Sequence, residues 1–380
     1  MIATLDEIFT SVSPPVARIL ERALAGADIT MEEGERLFRT QGPDLLALIA
    51  VADELRRRTV GDRVTYVVTR NINFTNICYT GCRFCAFARQ AKDPDAYAMS
   101  VDEIVARSRE AWSWGATEVC IQGGLNPYLL PTVYEDIVRA VKEAVPDIHI
   151  HAFSPFEIWY GSRRLGIDEE TFLRRLQDAG LGSIPGTAAE IFDPVIRRRL
   201  SRNKLPTETW VRIVKTAHRL GIPSTATIMY GHIDGPEHWA HHLDLIRRVQ
   251  QETGGFTEFV PLGFIHENTR LYLEDGARPG PTGMEELKMH AVARIMLNNW
   301  IPNIQVSWVK LGYSMAQMCL NAGANDFGGT LFEESISSAA GETPGSFTSP
   351  ETFQRLIRDM GRVPAERTTL YTIVREFPGP

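Results

Sequence analysis

The chain has 380 residues, 44% hydrophobic and 23% charged, proportions ordinary for a soluble globular enzyme. Forty basic and 47 acidic residues leave a net charge of −7, which argues against a nucleic-acid partner. No stretch approaches the roughly 20 apolar residues of a membrane helix, and the amino terminus shows no charged region followed by an apolar run, so neither a membrane span nor a secretory signal is expected. Free thiols suit a reducing compartment, and the expected location is cytoplasmic.

Residues 1–60 read as helices. Apolar positions recur at helical spacing over 15–24, Thr30-Met-Glu-Glu33 is a capping box, and 44–58 continues the pattern. A strand-like run follows at 66–74. Thereafter short apolar strands, at 119–122, 149–153, 182–184, 224–230, 258–261 and 304–308, alternate with helical stretches at 100–114, 131–145, 168–179, 207–220, 236–253 and 282–299. Such alternation predicts parallel β/α units, and their number predicts an α/β barrel. The expected organisation is a helical segment at 1–60, a barrel at 61–345, and a C-terminal extension at 346–380 packed on it. Looser connections are expected at 91–97, 274–281 and 341–350, where Pro or Gly punctuates the chain.

The chemistry-bearing motif is Cys78-Tyr-Thr-Gly-Cys82-Arg-Phe-Cys85, directly after the 66–74 strand. A structural zinc site asks for four protein ligands. Three thiolates with no fourth nearby suit a cubane iron–sulfur cluster with one iron open to another ligand. Three unrelated core cysteines would not sit in a loop rich in Asn, Thr and Gly. Cys120 and Cys319 read instead as small buried hydrophobes.

Barrel active sites gather at the carboxyl ends of the strands. There the sequence places Gln122-Gly123-Gly124, whose glycines allow close approach to the backbone but alone make only a routine loop. Next come His149 and His151 with Ser154 and Glu157, then the turn Gly186-Thr187 with Glu190 opening a predicted helix, where a carboxylate also suits the helix dipole. His232, His238, His241 and His242 invite a zinc reading, outweighed by a partly exposed helix for the last three; His232, at a strand end, is a substrate-facing candidate. The 322–329 segment is glycine-rich but lacks the P-loop lysine, and its Asn325–Asp326 pair reads either as a turn or as facing the barrel mouth. Runs 56–58 and 197–199, three arginines each, read as solvated helix faces.

The cysteine spacing, with Phe84 before the last thiol, resembles the radical S-adenosylmethionine (SAM) superfamily. Between about residues 65 and 345 the resemblance narrows to the CofH-type, tyrosine-transferring subunit of FO synthase in deazaflavin biosynthesis. It is carried by 71–78, 82–87, 151–155, 182–190, 225–232, 278–282 and 323–326, and most specifically by Thr253-Gly-Gly-Phe-Thr-Glu-Phe-Val-Pro261 and Asn303-Ile-Gln-Val-Ser-Trp-Val-Lys-Leu-Gly312. Gly263, where proline is expected, and Arg202, in a divergent loop, depart from the pattern.

The resemblance implies a radical SAM TIM-type barrel with a 4Fe–4S cluster on Cys78, Cys82 and Cys85. SAM would lie with Phe84 near its adenine, Gly123 and Gly124 at its ammonium, and Ser154 and Glu190 at its polar end. It implies a deoxyadenosyl radical that fragments L-tyrosine and passes a 4-hydroxybenzyl group to 5-amino-6-(D-ribitylamino)uracil. Among groups chemically suited to the pyrimidine, Gln122, His232, Glu258, Gln305 and Asn325 are the substrate candidates, with His232 and Glu258 also the candidates for catalysis. A CofG-type partner subunit and a ferredoxin or flavodoxin reductant are implied too. The alternatives are a menaquinone-pathway enzyme (aminofutalosine synthase or cyclic dehypoxanthinyl futalosine synthase type), disfavoured by the 255–261 and 305–308 runs, and a non-catalytic iron–sulfur or zinc scaffold, disfavoured by the glycine motif.

Overall fold

From Arg63 the chain runs extended in two steps, β1 (Arg63–Val67) and β2 (Thr69–Asn73), which meet at Val68. The computed structural model describes residues 5–330, 339–341 and 347–378; the expected boundary at 345/346 and part of the 341–350 connection lie outside the described residues. β2 pairs in parallel with β3 (Glu118–Gln122), and β3 with β4 (His149–Ala152). Single parallel bridges, His151 to Ser183 and Ile184 to Ser224, carry the succession to β5 (Ser224–Tyr230), which pairs with β6 (Phe256–Gly263). Phe259 then bridges to Ile304, Gln305 to Asp326, and β7 (Asp326–Gly329) returns to β1. The succession is a closed ring of eight parallel strand positions. Two expected strands, 182–184 and 304–308, are reduced to these bridges, and Trp308 already starts the helix Trp308–Leu320.

Side-chain alternation with period two explains why this barrel is hollow. Thr69, Asn71 and Asn73 of β2, Glu118, Cys120 and Gln122 of β3, and Thr225, Thr227 and Met229 of β5 all line the interior. The intervening Ile72, Val119, Ile121, Ala226 and Ile228 are buried in the hydrophobic core. Polar inward positions replace the branched apolar layers that usually fill a barrel. Cys120 therefore faces the cavity, contrary to the expected buried hydrophobe, whereas Cys319 is buried as expected.

The amino-terminal segment is helical, with the capping box at Thr30 formed. Its longest helix, Gly42–Val60, buries Leu48, Val51 and Ala52 and packs on the helix Gly283–Leu297. No helix among the described residues is long and apolar enough to cross a membrane.

The C-terminal extension does more than pack on the barrel. After the helix Pro350–Asp359, β8 (Val363–Arg367) pairs in parallel with β1, and β9 (Ile373–Glu376) folds back antiparallel on β8. This enters the barrel at the amino-terminal end of β1, opposite the cysteine loop, and carries Arg367 and Thr369 into the cavity wall. Arg367 is buried and donates through Nε and Nη2 to the two carboxylate oxygens of Asp326, at 2.6 and 2.9 Å. Thr65 Oγ1 also donates to Asp326, and Tyr371 lies under the guanidinium, 3.9 Å from it to the ring centroid. Truncating one partner of such a buried pair strands the other charge. Arg367→Ala is therefore expected to lower unfolding stability by about 3–5 kcal/mol, read by urea denaturation followed by circular dichroism; a loss below about 1 kcal/mol, typical of an exposed pair, would show that this contact does not hold the floor.

Candidate active site

The cysteine loop is held by its own backbone. Asn76 O accepts from Arg89 N at 2.8 Å, Cys78 N donates to Arg89 O at 3.0 Å, and Asn76 Nδ2 donates to Asp95 O at 2.9 Å. Thr80 Oγ1 sits between two thiols, 3.1 Å from Cys78 Sγ and 3.4 Å from Cys82 Sγ, and Ser201 Oγ lies 3.3 Å from Cys82 Sγ. Cys78, Cys82 and Cys85 line one cavity of about 410 Å³. Burial pushes the Cys85 thiol up to about 11, so a thiolate there needs a cation beside it.

Gly123 and Gly124 follow β3 and lie against this loop. A Cβ on Gly124 would meet Ile77 O at 2.3 Å and Cys78 Cβ at 2.9 Å, so the glycine is required by the cysteine loop itself as well as by any ligand. The two amides are engaged: Gly123 N donates to Glu157 Oε1 at 3.0 Å and Gly124 N to Thr75 O at 2.8 Å. Their carbonyls accept no hydrogen bond among the described residues.

Ser154 caps the helix Pro155–Leu165 in a capping box with Glu157, and both line the cavity. Burial raises the Glu157 carboxyl to about 7, although it accepts from Ser154 N and Oγ at 2.7 and 2.8 Å. Glu190 does not open a helix. The next one, Pro194–Leu200, is capped by Asp193, while Glu190 has a left-handed backbone (φ 50°) and forms an ion pair with Lys204. Strained backbone of this kind gathers at functional sites, and Ala188, two residues earlier, shares it (φ 65°). Lys204 Nζ lies 4.8 Å from the Phe84 ring centroid and 5.8 Å from that of Phe156, and these three residues line the cavity with Glu190.

At the opposite end lies the floor. Glu258 Oε2 accepts from Tyr371 Oη at 2.5 Å and from Gln305 Nε2 at 3.0 Å, with Arg367 Nη2 at 3.5 Å. Burial raises its carboxyl to about 7 against the pull of Arg367. Gln122, nearer the thiols, accepts from Thr187 Oγ1 at 2.7 Å. His151 also lines the wall; burial lowers it to about 4, so it is neutral at pH 7, and its Nδ1 lies 2.7 Å from Ser183 Oγ.

Two expected contacts are corrected. His232 is buried away from the cavity, its Nε2 on Met229 O at 3.1 Å and its Nδ1 accepting from Ile233 N at 2.7 Å, because Gly231 (φ 88°) turns the chain outward after β5. Asn325 is buried outside the cavity wall, where its Oδ1 accepts from Arg294 Nη2 and Ile304 N, both at 2.8 Å, and its Nδ2 donates to Asn303 Oδ1. The remaining histidines diverge: His242 stacks on Phe192 and contacts Thr227 O, and His238 accepts from Gly235 N. Among the described residues no three His, Cys, Asp or Glu side chains gather around the position of a single metal ion. The three thiols that line one cavity, with the Lys204–Glu190 pair lining it too, fit a multi-iron cluster. Glu157 and His151 stand in the strand-end motif that sequence singles out, whereas Lys204, Glu118, Arg367 and Tyr371 are not among the expected site residues.

Comparison with known proteins agrees with this geometry. The model of the Radical SAM superfamily matches residues 72–246, and that of the CofH/MqnC C-terminal region matches 253–379. The chain is 50% identical over 359 residues to the 5-amino-6-(D-ribitylamino)uracil–L-tyrosine 4-hydroxyphenyl transferase of Methanothermobacter thermautotrophicus, covering 94% of this chain and 98% of that protein. It is 53% identical over 357 residues to the FO synthase of Mycobacterium tuberculosis, covering 94% of this chain but only 42% of that protein's length. The crystal structure of methylornithine synthase (PylB) shares the fold, with a TM-score of 0.73 at 20% identity over 91% of this chain and 97% of that one. The chain belongs to the radical SAM superfamily and, within it, to the CofH-type 4-hydroxyphenyl transferase family, whose cofactors are a 4Fe–4S cluster and SAM.

Because residue 124 abuts the cysteine loop, Gly124→Val is expected to lower cluster loading and not only SAM binding, as Cys78→Ala, Cys82→Ala and Cys85→Ala should, while Cys120→Ala keeps its iron. Iron analysis and electron paramagnetic resonance after anaerobic reconstitution check this. Full iron content in Gly124→Val would place the steric fault elsewhere.

Proposed function

We propose that this chain transfers the 4-hydroxybenzyl group of L-tyrosine to 5-amino-6-(D-ribitylamino)uracil, a step of FO (deazaflavin) biosynthesis. The observation that carries the reading is that one cavity joins three thiols at its mouth to a hydrogen-bonding floor of Glu258, Gln305 and Arg367. The near full-length match to a transferase of that name supports it. The chain spans about two-fifths of the FO synthase of Mycobacterium tuberculosis, so complete FO formation is not assigned to it alone.

When bound, the cluster and SAM supply a one-electron reductive cleavage that starts radical chemistry. The residues of the chain do the rest by position. The open carbonyls of Gly123 and Gly124 receive an ammonium, and the buried Lys204–Glu190 pair offers a cation for a carboxylate and an acceptor for hydroxyls, beside the Phe84 ring. These SAM contacts belong to the proposal, with Cys78, Cys82 and Cys85 as cluster ligands. Glu258 accepts from the amino and ring N–H groups of the diaminouracil, and Gln305 offers both a donor and an acceptor. Gln122, near mid-cavity, is placed to contact either substrate.

A benzyl radical delocalised over a phenol ring leaves more readily than an alkyl one. It must then meet the uracil before it is quenched, which is a demand for proximity and for exclusion of water. A closed strand ring with a buried ion pair across its floor meets both. A CofG-type subunit that closes the deazaflavin ring, a ferredoxin- or flavodoxin-type reductant, and a cytoplasmic setting suited to free thiols belong to the same reading.

Anaerobic incubation with SAM, dithionite, ring-labelled L-tyrosine and the diaminouracil should place the labelled benzyl group on the uracil, read by mass spectrometry. Turnover of an aminofutalosine-pathway substrate without that adduct would move the chain to menaquinone biosynthesis. Glu258→Gln should lower kcat/KM for the uracil about 10- to 100-fold, the worth of a hydrogen bond to a charged group. With the Glu258 carboxyl near 7, the KM for the uracil should also rise as pH falls below 7 and the accepting carboxylate is lost.

A further inference from the structure

The cysteine loop has an outer face that the transfer reaction does not use. It forms one wall of a surface groove of about 880 Å³, separate from the barrel cavity and lined by Thr80, Gly81 and Arg83 on one side and by Arg198, Arg199 and Arg202 on the other. Thr80 lines both spaces: its backbone and side chain stand between the groove and the thiols of Cys78 and Cys82. Asn203, also in the groove, donates to Thr80 O at 3.1 Å and ties the arginine segment to the cysteine loop.

The charges here run against the rest of the chain, whose net charge is −7. Arg83 is engaged with Asp275 and Glu274, and Asp275, the one acid lining the groove among the described residues, is thereby matched. Arg198, Arg199 and Arg202 are exposed and form no ion pair among the described residues. The 197–199 run is thus not simply a solvated helix face. Arg197 is buried and donates to Leu205 O at 2.6 Å, to Ala188 O at 2.9 Å and to Ala189 O, which pins the end of the helix Pro194–Leu200 and leaves its two neighbours exposed on the groove. Tyr79 and Val195, 46% and 57% exposed, add a small apolar contact.

We infer that this groove is the docking surface for an acidic one-electron carrier protein, which delivers its electron through the Thr80 wall to the cluster. The inference rests on the cluster reading of the proposed function. In the step, the reduced carrier loses one electron and the cluster gains one, with no bond made or broken and no proton moved at the thiols. A carrier of protein size cannot enter a 410 Å³ cavity, so it must approach the loop from outside. Three guanidinium groups without an ion pair among the described residues, set around the Thr80 wall, attract an acidic face and raise the encounter rate. An open rim with little apolar area suits the small, transient interfaces of redox partners.

The test compares reconstituted holoenzyme with its Arg198→Glu/Arg199→Glu/Arg202→Glu variant, using reduced flavodoxin as an acidic, iron-free probe. Bleaching of the cluster's visible absorption in stopped flow, with no substrate present, gives the reduction rate. The flavodoxin-driven rate should fall at least about tenfold in the variant, while the dithionite-driven rate stays within about twofold. Raising salt from about 50 to about 200 mM should slow the parent and not the variant. A flavodoxin rate within twofold of the parent overturns the inference, as does an equal loss with both reductants. Loss of binding to a CofG-type partner, with the flavodoxin rate unchanged, would assign the groove to that partner instead. Iron analysis of the parent reports separately on the cluster reading: no iron defeats that reading, whereas iron with an unchanged flavodoxin rate defeats only the docking surface.

Discussion

Arg367 ties three distant parts of the chain together. Its guanidinium is buried, and a buried charge persists only where counter-charge and hydrogen bonds replace its water. Asp326 at the start of β7 supplies both bonds, Thr65 of β1 donates to the same carboxylate, and Glu258 of β6 stands beside it. The extension meets these partners with β8 paired along β1. That placement closes the amino-terminal end of the barrel and leaves the cavity to be entered from the cysteine end. It also sets Tyr371 and Arg367 around Glu258, so the chemical character of the floor is fixed by residues more than 100 positions apart in sequence.

The two ends of the cavity are built by different physics. At the mouth, short-range backbone bonds, small residues and a left-handed turn at Ala188 and Glu190 hold the thiols and the Lys204–Glu190 pair in place. At the floor, long-range charges do the holding. Tyr371 is also left-handed (φ 64°) where its hydroxyl meets Glu258. Backbone strain of this kind persists only where the surroundings over-determine it, and here it lies at both ends of the same cavity.

What sequence made legible follows from the range of the interactions. The strand–helix alternation and the C-x3-C-x2-C loop are local patterns; the loop follows its strand as expected, and the alternation holds apart from 182–184 and 304–308, which are reduced to single bridges. Gly124 reads as part of a glycine motif, but its closest neighbour, Ile77 O, lies nearly fifty residues earlier, so its structural burden leaves no local signal. Glu258 and Gln305 were singled out by side-chain chemistry, and period two puts both inside. His232 and Asn325 have the same kind of chemistry but point elsewhere, one after a glycine turn and the other onto Arg294. Lys204 and Arg367 left no local trace at all: a lone lysine in a loop and an arginine in a C-terminal strand acquire their roles from partners 14 and 41 residues away.

The central claim is that one cavity holds both ends of the reaction, with the thiols at its mouth and the pyrimidine on its floor. An anaerobic crystal structure of the cluster-bearing enzyme with SAM and 5-amino-6-(D-ribitylamino)uracil tests it most directly. The account predicts pyrimidine density within hydrogen-bond distance of the Glu258 carboxylate and the Gln305 amide, with SAM between it and the cysteine loop. Pyrimidine density outside the barrel, or at its mouth with Glu258 and Gln305 still bonded only to protein, would contradict it.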